Sequence, residues 1–372
     1  MIALKENTSD FEVKEIPLTG FAELLGETGE YAYCLLKKED YTTLKAIQLL
    51  SRHLRIPQRC FGFAGVKDRK AITEQYISVR SAKPLSARLE GITLTPLGRG
   101  KRPLSLGLLS GNRFTITVRS IEVEEVKTFL GNMGKGEIAR AIFGEDSVEG
   151  IAAMISDRVV GDKHLTLPCI PNLFDAQRFS KNNAEIGKLL VKKDFAKAAA
   201  LILRSEGEHE QPVREHLRRY PADAIGAMRK LPKSLLKLYL HAYQSRLFNE
   251  IARRLLRQEV TSNLEVPLFG FATEPEAIGD PVLRDMANAT LKREGITPRD
   301  YIFRELPELS ATGAERRLFM DVSDFLIKGC AADDMHEGRV RLALSFSLGR
   351  GSYATMAVRQ LFTMDLLQSC GV

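Results

Sequence analysis

One carboxylate, Asp68, lies between three cations in a glycine-flanked stretch, and these residue types together could support nucleophilic chemistry. The stretch reads FGFAGVKDRKAITEQYISVR and spans residues 61–80. Its small residues let backbone or a flat ligand approach closely, and its end alternates as a strand does. Lys67, Arg69 and Lys70 favour the ionised carboxylate, which is the nucleophilic form. A solvated turn is the plain structural alternative for so short a motif.

The positive charge of the chain is concentrated around this carboxylate. The 372 residues carry a formal net charge of +7. Residues 45–102 hold thirteen lysines and arginines against three acids, a net charge of +10, so the rest of the chain carries −3. A basic block at a candidate nucleophile indicates a polyanion bound over it. The alternative is a generally basic protein, which the overlap of charge and motif disfavours.

Residues that could bind a metal or a nucleotide cofactor do not form a site in the sequence. The five cysteines are scattered without a C-x-x-C pair, and the six histidines lack ligand spacing. This argues for reduced thiols in a cytoplasmic protein and against zinc. Gly349, Gly351 and Ala354 fit the dinucleotide fingerprint, but no strand and no acid follow about twenty positions on. We therefore predict no metal and no cofactor, and we reject an NAD-type oxidoreductase.

Several stretches resemble one known family. AGVKDRKAITEQ, residues 64–75, closely resembles the nucleophile motif of the tRNA pseudouridine synthase D family. Further matches follow the same order: Lys5 before the Asp10–Phe11 pair, LSLGLLSGNRF at 104–114, PNLFDAQRFS at 171–180, HAYQSRLFNEI at 241–251, and the loop at Tyr353. The chain departs from the family at Asp175 and Ser180, where glycines are usual. The resemblance covers nearly the whole chain.

The resemblance implies a catalytic residue and a set of residues that bind the substrate. Asp68 would attack the uridine covalently, either at C6 of the base or at C1′ of the ribose. A uracil removed from its stack needs an amide for its Watson–Crick edge and an aromatic face beside it. Without the resemblance, Phe11 would be assigned to the core. The implied substrate-binding residues are Lys5, Phe11, Asn112, Phe114 and Tyr353.

Apolar periodicity predicts the elements that must position these residues. Phe11, Val13 and Ile16 form the apolar side of a first strand, with Glu15 on its polar side. Further strands are predicted at 30–38, 91–96, 113–119, 316–322 and 339–348. Helices are predicted from Thr42 or Thr43 to Pro57, at 122–130 and 149–158, through most of 183–257, and after an N-cap at Ser352. Residues 260–312 are predicted to be loops with short elements.

The fold class follows from the resemblance. It implies an α+β fold with a mixed, largely antiparallel pseudouridine-synthase-type sheet, flanking helices, and an inserted, mostly helical α/β domain. Residues 1–167 and 318–372 would form the catalytic domain, and residues 168–317 the inserted domain. The texture of the chain changes near residues 167–180, where two prolines bracket Cys169 and Ile170, as at a domain boundary.

The resemblance implies an enzyme that converts uridine to pseudouridine in tRNA, at position 13. The expected partner is tRNA, with no membrane and no nucleotide cofactor, and a monomer is expected. No run of eighteen or more apolar residues indicates a membrane span. A non-catalytic RNA-binding protein or RNA chaperone on the same scaffold is the alternative function.

Overall fold

The computed structural model describes residues 2–83, 85–105, 107–136, 147–162, 167, 169–204 and 210–362. These residues form two compact units. The first comprises the described residues up to 167 together with 320–362, and the second comprises 169–319. The last ten residues of the predicted catalytic domain, 363–372, lie outside the described residues. In the described ranges, no helix has the length and apolar character needed to cross a bilayer.

The strands of the described residues form one large sheet and one small one. In chain order they are β1 (Phe11–Pro17), β2 (Tyr31–Glu39), β3 (Phe61–Phe63), β4 (Ile72–Arg80), β5 (Ala87–Leu89), β6 (Ile92–Gly100), β7 (Leu109–Ile121), β8 (Glu265–Leu268), β9 (Ala314–Arg317), β10 (Val322–Ala332) and β11 (Val340–Gly349). Nine strands of the first unit form a sheet of order β10-β11-β7-β1-β4-β2-β6-β5, with β3 paired to β4. Only the β1–β4 pair is parallel among the described strands. The predicted mixed, largely antiparallel sheet is confirmed.

The helices divide between the two units. In chain order they are α1 (Thr43–Leu54), α2 (Val123–Asn132), α3 (Val148–Arg158), α4 (Asn183–Val191), α5 (Phe195–Leu203), α6 (Glu210–Arg219), α7 (Ala224–Met228), α8 (Lys233–Arg257), α9 (Pro281–Glu294) and α10 (Ala354–Leu361). Helices α4–α9 belong to the second unit, together with the β8–β9 pair. The second unit is therefore mostly helical.

Helix α1 covers the part of the sheet that carries the basic stretch. The Thr42 side chain accepts a hydrogen bond from the Lys45 backbone N–H at 3.2 Å, which satisfies an otherwise unpaired donor at the helix start. Its apolar face, with Ile47 and Leu50, packs against inward residues of β2, β4 and β6. Arg55 ends the helix in a left-handed conformation, with φ of 57°.

Three predictions about elements are wrong. The helix α9 lies inside 260–312, where loops were predicted; its N-cap Asp280 and Pro281 look like turn residues in sequence. The strand predicted at 316–322 is two strands, because β9 ends at Arg317 and β10 begins at Val322. The N-cap of α10 is Tyr353 rather than Ser352.

Candidate active site

The parallel pair β1–β4 brings two distant loops to the same end of the sheet. Glu12 to Lys14 of β1 are aligned with Ile72 to Glu74 of β4. Because neighbouring parallel strands begin at the same end, the segments that lead into them arrive side by side. One lead-in segment carries Lys5 and the other carries Asp68. The topology therefore places together two side chains that are far apart in sequence.

Lys5 and Asp68 are in direct contact. The Lys5 Nζ lies 2.5 Å from Asp68 Oδ2. The Asp68 side chain is nevertheless 70% exposed, so one carboxylate oxygen is held by a cation while the group stays open to a ligand. The Lys5 ammonium also lies 4.1 Å from the centre of the Phe11 ring, a distance typical of a cation–π contact. An oriented, accessible carboxylate is what a nucleophile requires.

The loop that carries Asp68 is anchored from below by a buried ion pair. Lys67 Nζ lies 2.8 Å from Glu15 Oε2, with side chains 8% and 1% exposed. The Lys67 backbone N–H donates to the Thr43 hydroxyl at 2.9 Å, and that hydroxyl donates to the Gln75 side-chain oxygen at 2.7 Å. Gln75 in turn donates to the Gly65 carbonyl at 3.0 Å. The loop backbone is thus fixed just before the carboxylate, at Gly65 and Lys67.

A second buried cation supports Asp68 itself. Lys38 Nζ donates to the Asp68 backbone carbonyl at 2.8 Å, and the Lys38 residue is 1% exposed. Burial lowers the pKa of the Lys38 ammonium to about 8, against the opposing effect of the nearby Asp68. Lys38 therefore holds the backbone of the loop and leaves the Asp68 carboxylate free to point outward.

Two of the three cations expected around Asp68, Lys67 and Arg69, bind other acids instead. Lys67 turns inward to Glu15, and Arg69 pairs with Asp40 at 3.2 Å through two of its nitrogens. The cation that touches the carboxylate is Lys5, which comes from another part of the chain. Lys67 and Arg69 each bind an acid from another part of the chain, so sequence neighbours were a poor guide to spatial neighbours.

Aromatic rings form an apolar floor beside the carboxylate. Phe11 on β1 and Phe114 on β7 meet edge to face, with ring centres 6.0 Å apart, a favoured arrangement for aromatic pairs. Phe114 also contacts Phe346 of β11 at 5.7 Å. Phe11 and Phe114 are 3% and 7% exposed. Both rings are therefore almost fully buried, and Phe11 is the one in contact with Lys5.

Asn112 lies on the same face of the sheet and has an unsatisfied side chain. Its partner in β1 is Glu15, and the partner of Phe114 is Val13. Residues directly opposite in an antiparallel pair face the same side, so Asn112, Phe114 and Glu15 share one face. The Asn112 side-chain oxygen is buried and accepts no hydrogen bond from the described residues. A buried acceptor without a donor is rare and unfavourable in the absence of a ligand.

Tyr353 comes shortly after the strand end that is aligned with Gly111, the neighbour of Asn112. It precedes α10 and follows β11, whose last residue, Gly349, is aligned with Gly111. The Lys5–Asp68 contact lies toward the opposite end of β1. Side-chain contacts therefore bring Lys5, Phe11 and Phe114 together with Asp68, whereas Asn112 and Tyr353 lie farther along the strands.

The segment that carries Lys5 is tied down by a buried charge cluster. Arg119 on β7 donates to both Asp10 carboxylate oxygens at 2.9 and 3.0 Å, and to Asp333 at 3.0 Å. The Ala3 backbone exchanges two hydrogen bonds with the Arg119 backbone, at 2.8 and 2.9 Å. Lys5 lies between these anchors in a left-handed conformation, with φ of 62°. The cluster therefore fixes both ends of the short loop that presents the Lys5 ammonium.

The sequence prediction missed two residues of the site, Glu15 and Lys38, although their places on the buried side of a strand could have indicated them. Glu15 follows Phe11 and Val13 at alternate positions of β1, and all three are buried. Lys38 likewise follows inward-facing residues of β2. A charged residue at a buried position of a strand needs a partner, so each could have been identified from strand phase. The prediction put Glu15 on the polar side because Ile16 was counted as inward.

Comparisons with known proteins point to one family. A family model described as tRNA pseudouridine synthase D (TruD) matches residues 2–220, 203–267 and 259–361. The tRNA pseudouridine synthase D of Syntrophotalea carbinolica is 30% identical, over 98% of this chain and 96% of its own. That of Aquifex aeolicus is also 30% identical, over 98% of this chain and 99% of its own.

A solved structure has the same fold. The crystal structure of a tRNA pseudouridine synthase D candidate from Methanosarcina mazei superposes with a TM-score of 0.67. The two chains are 26% identical, and the match covers 98% of this chain and 94% of the other.

Proposed function

This chain belongs to the tRNA pseudouridine synthase D family, and from that membership we propose that it converts uridine to pseudouridine in tRNA. The family resemblance and the α+β fold class predicted from the sequence are confirmed. The proposed target is uridine 13, as the resemblance implies. The proposed catalytic domain is residues 1–167 with 318–372, and residues 168–317 form the proposed inserted domain.

The observation that carries the proposal is the exposed Asp68 carboxylate held by Lys5 beside an aromatic floor. In the proposed reaction, Asp68 attacks the uridine at C6 of the base or at C1′ of the ribose. The bond between N1 and C1′ breaks, the uracil turns, and C5 bonds to C1′. The bond between Asp68 and the uridine breaks again, the proton on C5 leaves and N1 regains one. The product is therefore an isomer of the substrate, and the Asp68 carboxylate is restored. The reaction needs no redox step.

Asn112 has a specific part in this proposal. Uracil presents an N–H at its position 3, whereas cytosine presents an acceptor there. The buried, unsatisfied oxygen of Asn112 would accept from that N–H, and it would leave a bound cytosine unpaired. A site that pairs a substrate N–H rejects an analogue without it much more strongly than an apolar pocket does. The same residue would therefore serve both binding and selection of the base.

The remaining site residues orient the reacting groups. Lys5 would keep the Asp68 carboxylate directed at the base and balance its charge before attack. Phe11 and Phe114 would supply the apolar floor under the extruded base, and Tyr353 would close the Asn112 side of the pocket. Positioning of this kind can supply a large part of a rate enhancement.

The decisive experiment compares Asp68→Asn with the wild-type protein on unmodified tRNA. Chemical mapping of pseudouridine should show conversion at one position with wild type and none with Asp68→Asn, while tRNA affinity stays within a few-fold. Asp157→Asn is the matched control, because Asp157 is an exposed carboxylate on α3 in the same unit. Equal turnover by Asp68→Asn would refute the nucleophile. Binding without turnover by the wild type would favour the non-catalytic RNA-binding alternative.

A further inference from the structure

The basic block seen in sequence separates into two groups in the structure. Near the carboxylate, Lys67 and Arg69 are engaged with Glu15 and Asp40. Most of the other cations of residues 45–102 lie elsewhere. The predicted concentration of free positive charge over Asp68 is therefore wrong in part, and the second group needs its own explanation.

The second group lies at the far end of the sheet. Asp68 lies beside the start of β4, because Lys38, which bonds its carbonyl, is aligned with Thr73. The nine residues of β4 span about 26 Å from first to last at the usual rise per residue. At its last residue, Arg80 is aligned with Tyr31, which is aligned in turn with Gly100. The cations after Gly100 therefore emerge far from Asp68.

Helix α1 gives the same separation independently. Its first residue, Thr43, bonds the Lys67 backbone in the nucleophile loop. Its twelve residues cover about 18 Å at the α-helical rise. Arg52 and Arg55 lie at its other end, and Arg59 shortly precedes Phe61, which is aligned with Val79 near the end of β4. The directions of β4 and α1 thus place these cations at the same end of the unit, away from Asp68.

We call this group the distal basic surface. Its members are all exposed, and their charged groups form no hydrogen bond or ion pair with the residues that the structure describes. The nearby Arg80 pairs with Glu30 at 3.0 Å, so these two cancel. The members of the distal basic surface are Arg52, Arg55, Arg59, Lys83, Lys101 and Arg102.

The backbone that carries these cations is fixed. Arg99 donates to the carbonyls of Gly29 and Ser81, which joins the ends of three strands. The Tyr33 hydroxyl donates to the Arg102 carbonyl at 2.7 Å. Clustered like charges repel one another, and this repulsion destabilises the fold. An ordered platform of unpaired cations therefore fits a multiply charged anion better than it fits a structural role.

We propose that the distal basic surface binds the phosphate backbone of the tRNA substrate at a point remote from the target uridine. The inference rests on the proposed function. Contacts to phosphate fix the register of a nucleic acid without reading its sequence, and each adds to the salt dependence of binding. The surface would anchor the body of the tRNA roughly 20–25 Å from Asp68, as the spans of α1 and β4 indicate.

The test removes two of these charges and compares a matched pair. The variant is Arg59→Gln with Lys101→Gln. The control is Arg158→Gln with Lys328→Gln, because both are exposed cations of the same unit on α3 and on the edge strand β10. Binding of full-length tRNA should weaken roughly tenfold, and the slope of log affinity against log salt should fall by about 2. The control pair should change neither value.

Two further measurements make the result decisive. At saturating tRNA, kcat should stay at the wild-type value, since the surface is far from the chemistry. On a short single-stranded RNA with only the target uridine and its neighbours, the variant and wild type should bind equally. A second variant, Arg52→Gln with Lys83→Gln, should repeat the loss on full-length tRNA.

Failure of this inference is distinguishable from failure of the proposed function. If both variants bind full-length tRNA like the control pair while wild type makes pseudouridine, the distal surface is refuted and the enzyme stands. If the variants lose tRNA binding but wild type makes no pseudouridine, the surface stands and the activity is refuted. Two other outcomes overturn the proposal. If the variants lose as much affinity for the short RNA as for full-length tRNA, the contact lies at the target itself. If the wild type binds anionic vesicles in preference to tRNA, the surface belongs to membranes.

Discussion

The Lys5 ammonium lies 2.5 Å from the Asp68 carboxylate, although 63 positions separate the two residues in the chain. The contact exists because β1 and β4 are parallel neighbours, so the loops before both strands meet. Each loop is held by its own buried ion pairs, Arg119 with Asp10 for one and Lys67 with Glu15 for the other. The geometry of the site therefore depends on buried charges that never touch a substrate.

Lys5→Met should lower catalysis more than it lowers folding stability. The change keeps the length of the side chain but removes the charge that orients Asp68, and misorientation of a reacting group can cost roughly a hundredfold in rate. We expect the single-turnover rate constant to fall about 10–100-fold, with tRNA affinity nearly unchanged. Lys14→Met is the control, since Lys14 is exposed and faces the other side of β1. Equal effects from both variants would contradict an orienting role for Lys5.

Asn112→Leu should reduce activity without reducing stability. The change removes a buried oxygen that has no donor, which relieves an unfavourable group worth about 1–3 kcal/mol. We expect an unchanged or higher thermal midpoint, and a fall in kcat/KM of roughly 10–100-fold because the base loses its partner.

Asn132→Leu is the opposite control for that change. The Asn132 amide is buried and donates to the Leu361 carbonyl at 3.0 Å, so its loss should destabilise the protein and leave kcat of the folded fraction intact. A drop in thermal midpoint for Asn112→Leu would show that Asn112 has a structural partner.

Arg119→Met should destabilise the first unit and also displace Lys5. Arg119 is 5% exposed and bonds Asp10 and Asp333, and breaking a buried ion pair by removing one partner costs about 3–5 kcal/mol. We expect an early urea transition and, below it, a reduced kcat per folded molecule. Arg119→Lys should recover part of both.

Arg113→Met provides the contrast on the same strand. Its ion pair with Asp324 is 54% and 59% exposed, and such pairs contribute about 0–1 kcal/mol. If Arg119→Met loses stability but keeps full kcat in the folded state, the cluster supports the fold alone.

Lys38→Met should change how stability depends on pH. Burial lowers the pKa of Lys38 to about 8 from 10.5. Below pH 8 the Lys38 ammonium is protonated in both the folded and the unfolded state, and burial of this charge destabilises the folded state. Between about pH 8 and 10.5 the unfolded chain binds more protons, so wild-type stability gains on the order of 3 kcal/mol as pH rises. Lys38→Met lacks this gain.

Urea unfolding at neutral and alkaline pH measures that difference. The raised pKa values of Tyr33 and Tyr76 act in the opposite direction at high pH, but they are common to both proteins and cancel in the comparison. A pH dependence that is the same in wild type and Lys38→Met would show that Lys38 is solvated.

The sequence predicts the sheet better than it predicts the site. Alternation located β11 and the core of β7 because both have buried faces with regular phase. It missed α9, which begins with the N-cap Asp280 followed by Pro281, and it merged β9 with β10. The contact between Lys5 and Asp68 depends on which strands are neighbours, which no local pattern contains. A sequence motif predicts Asp68 as the candidate nucleophile, whereas its spatial neighbours depend on the order of the strands in the sheet.

Position 68 combines an exposed side chain, in contact with Lys5, with an immobilised backbone. Hydrogen bonds hold the peptide groups of the loop, and they come from Thr43, Lys38 and Gln75. The Asp68 side chain is open to solvent. Another residue can therefore be installed there without disturbing the surrounding chain. Asp68→Cys would provide a thiol attachment point, at which an electrophilic or photoreactive label could capture the RNA in the position where it is held for modification.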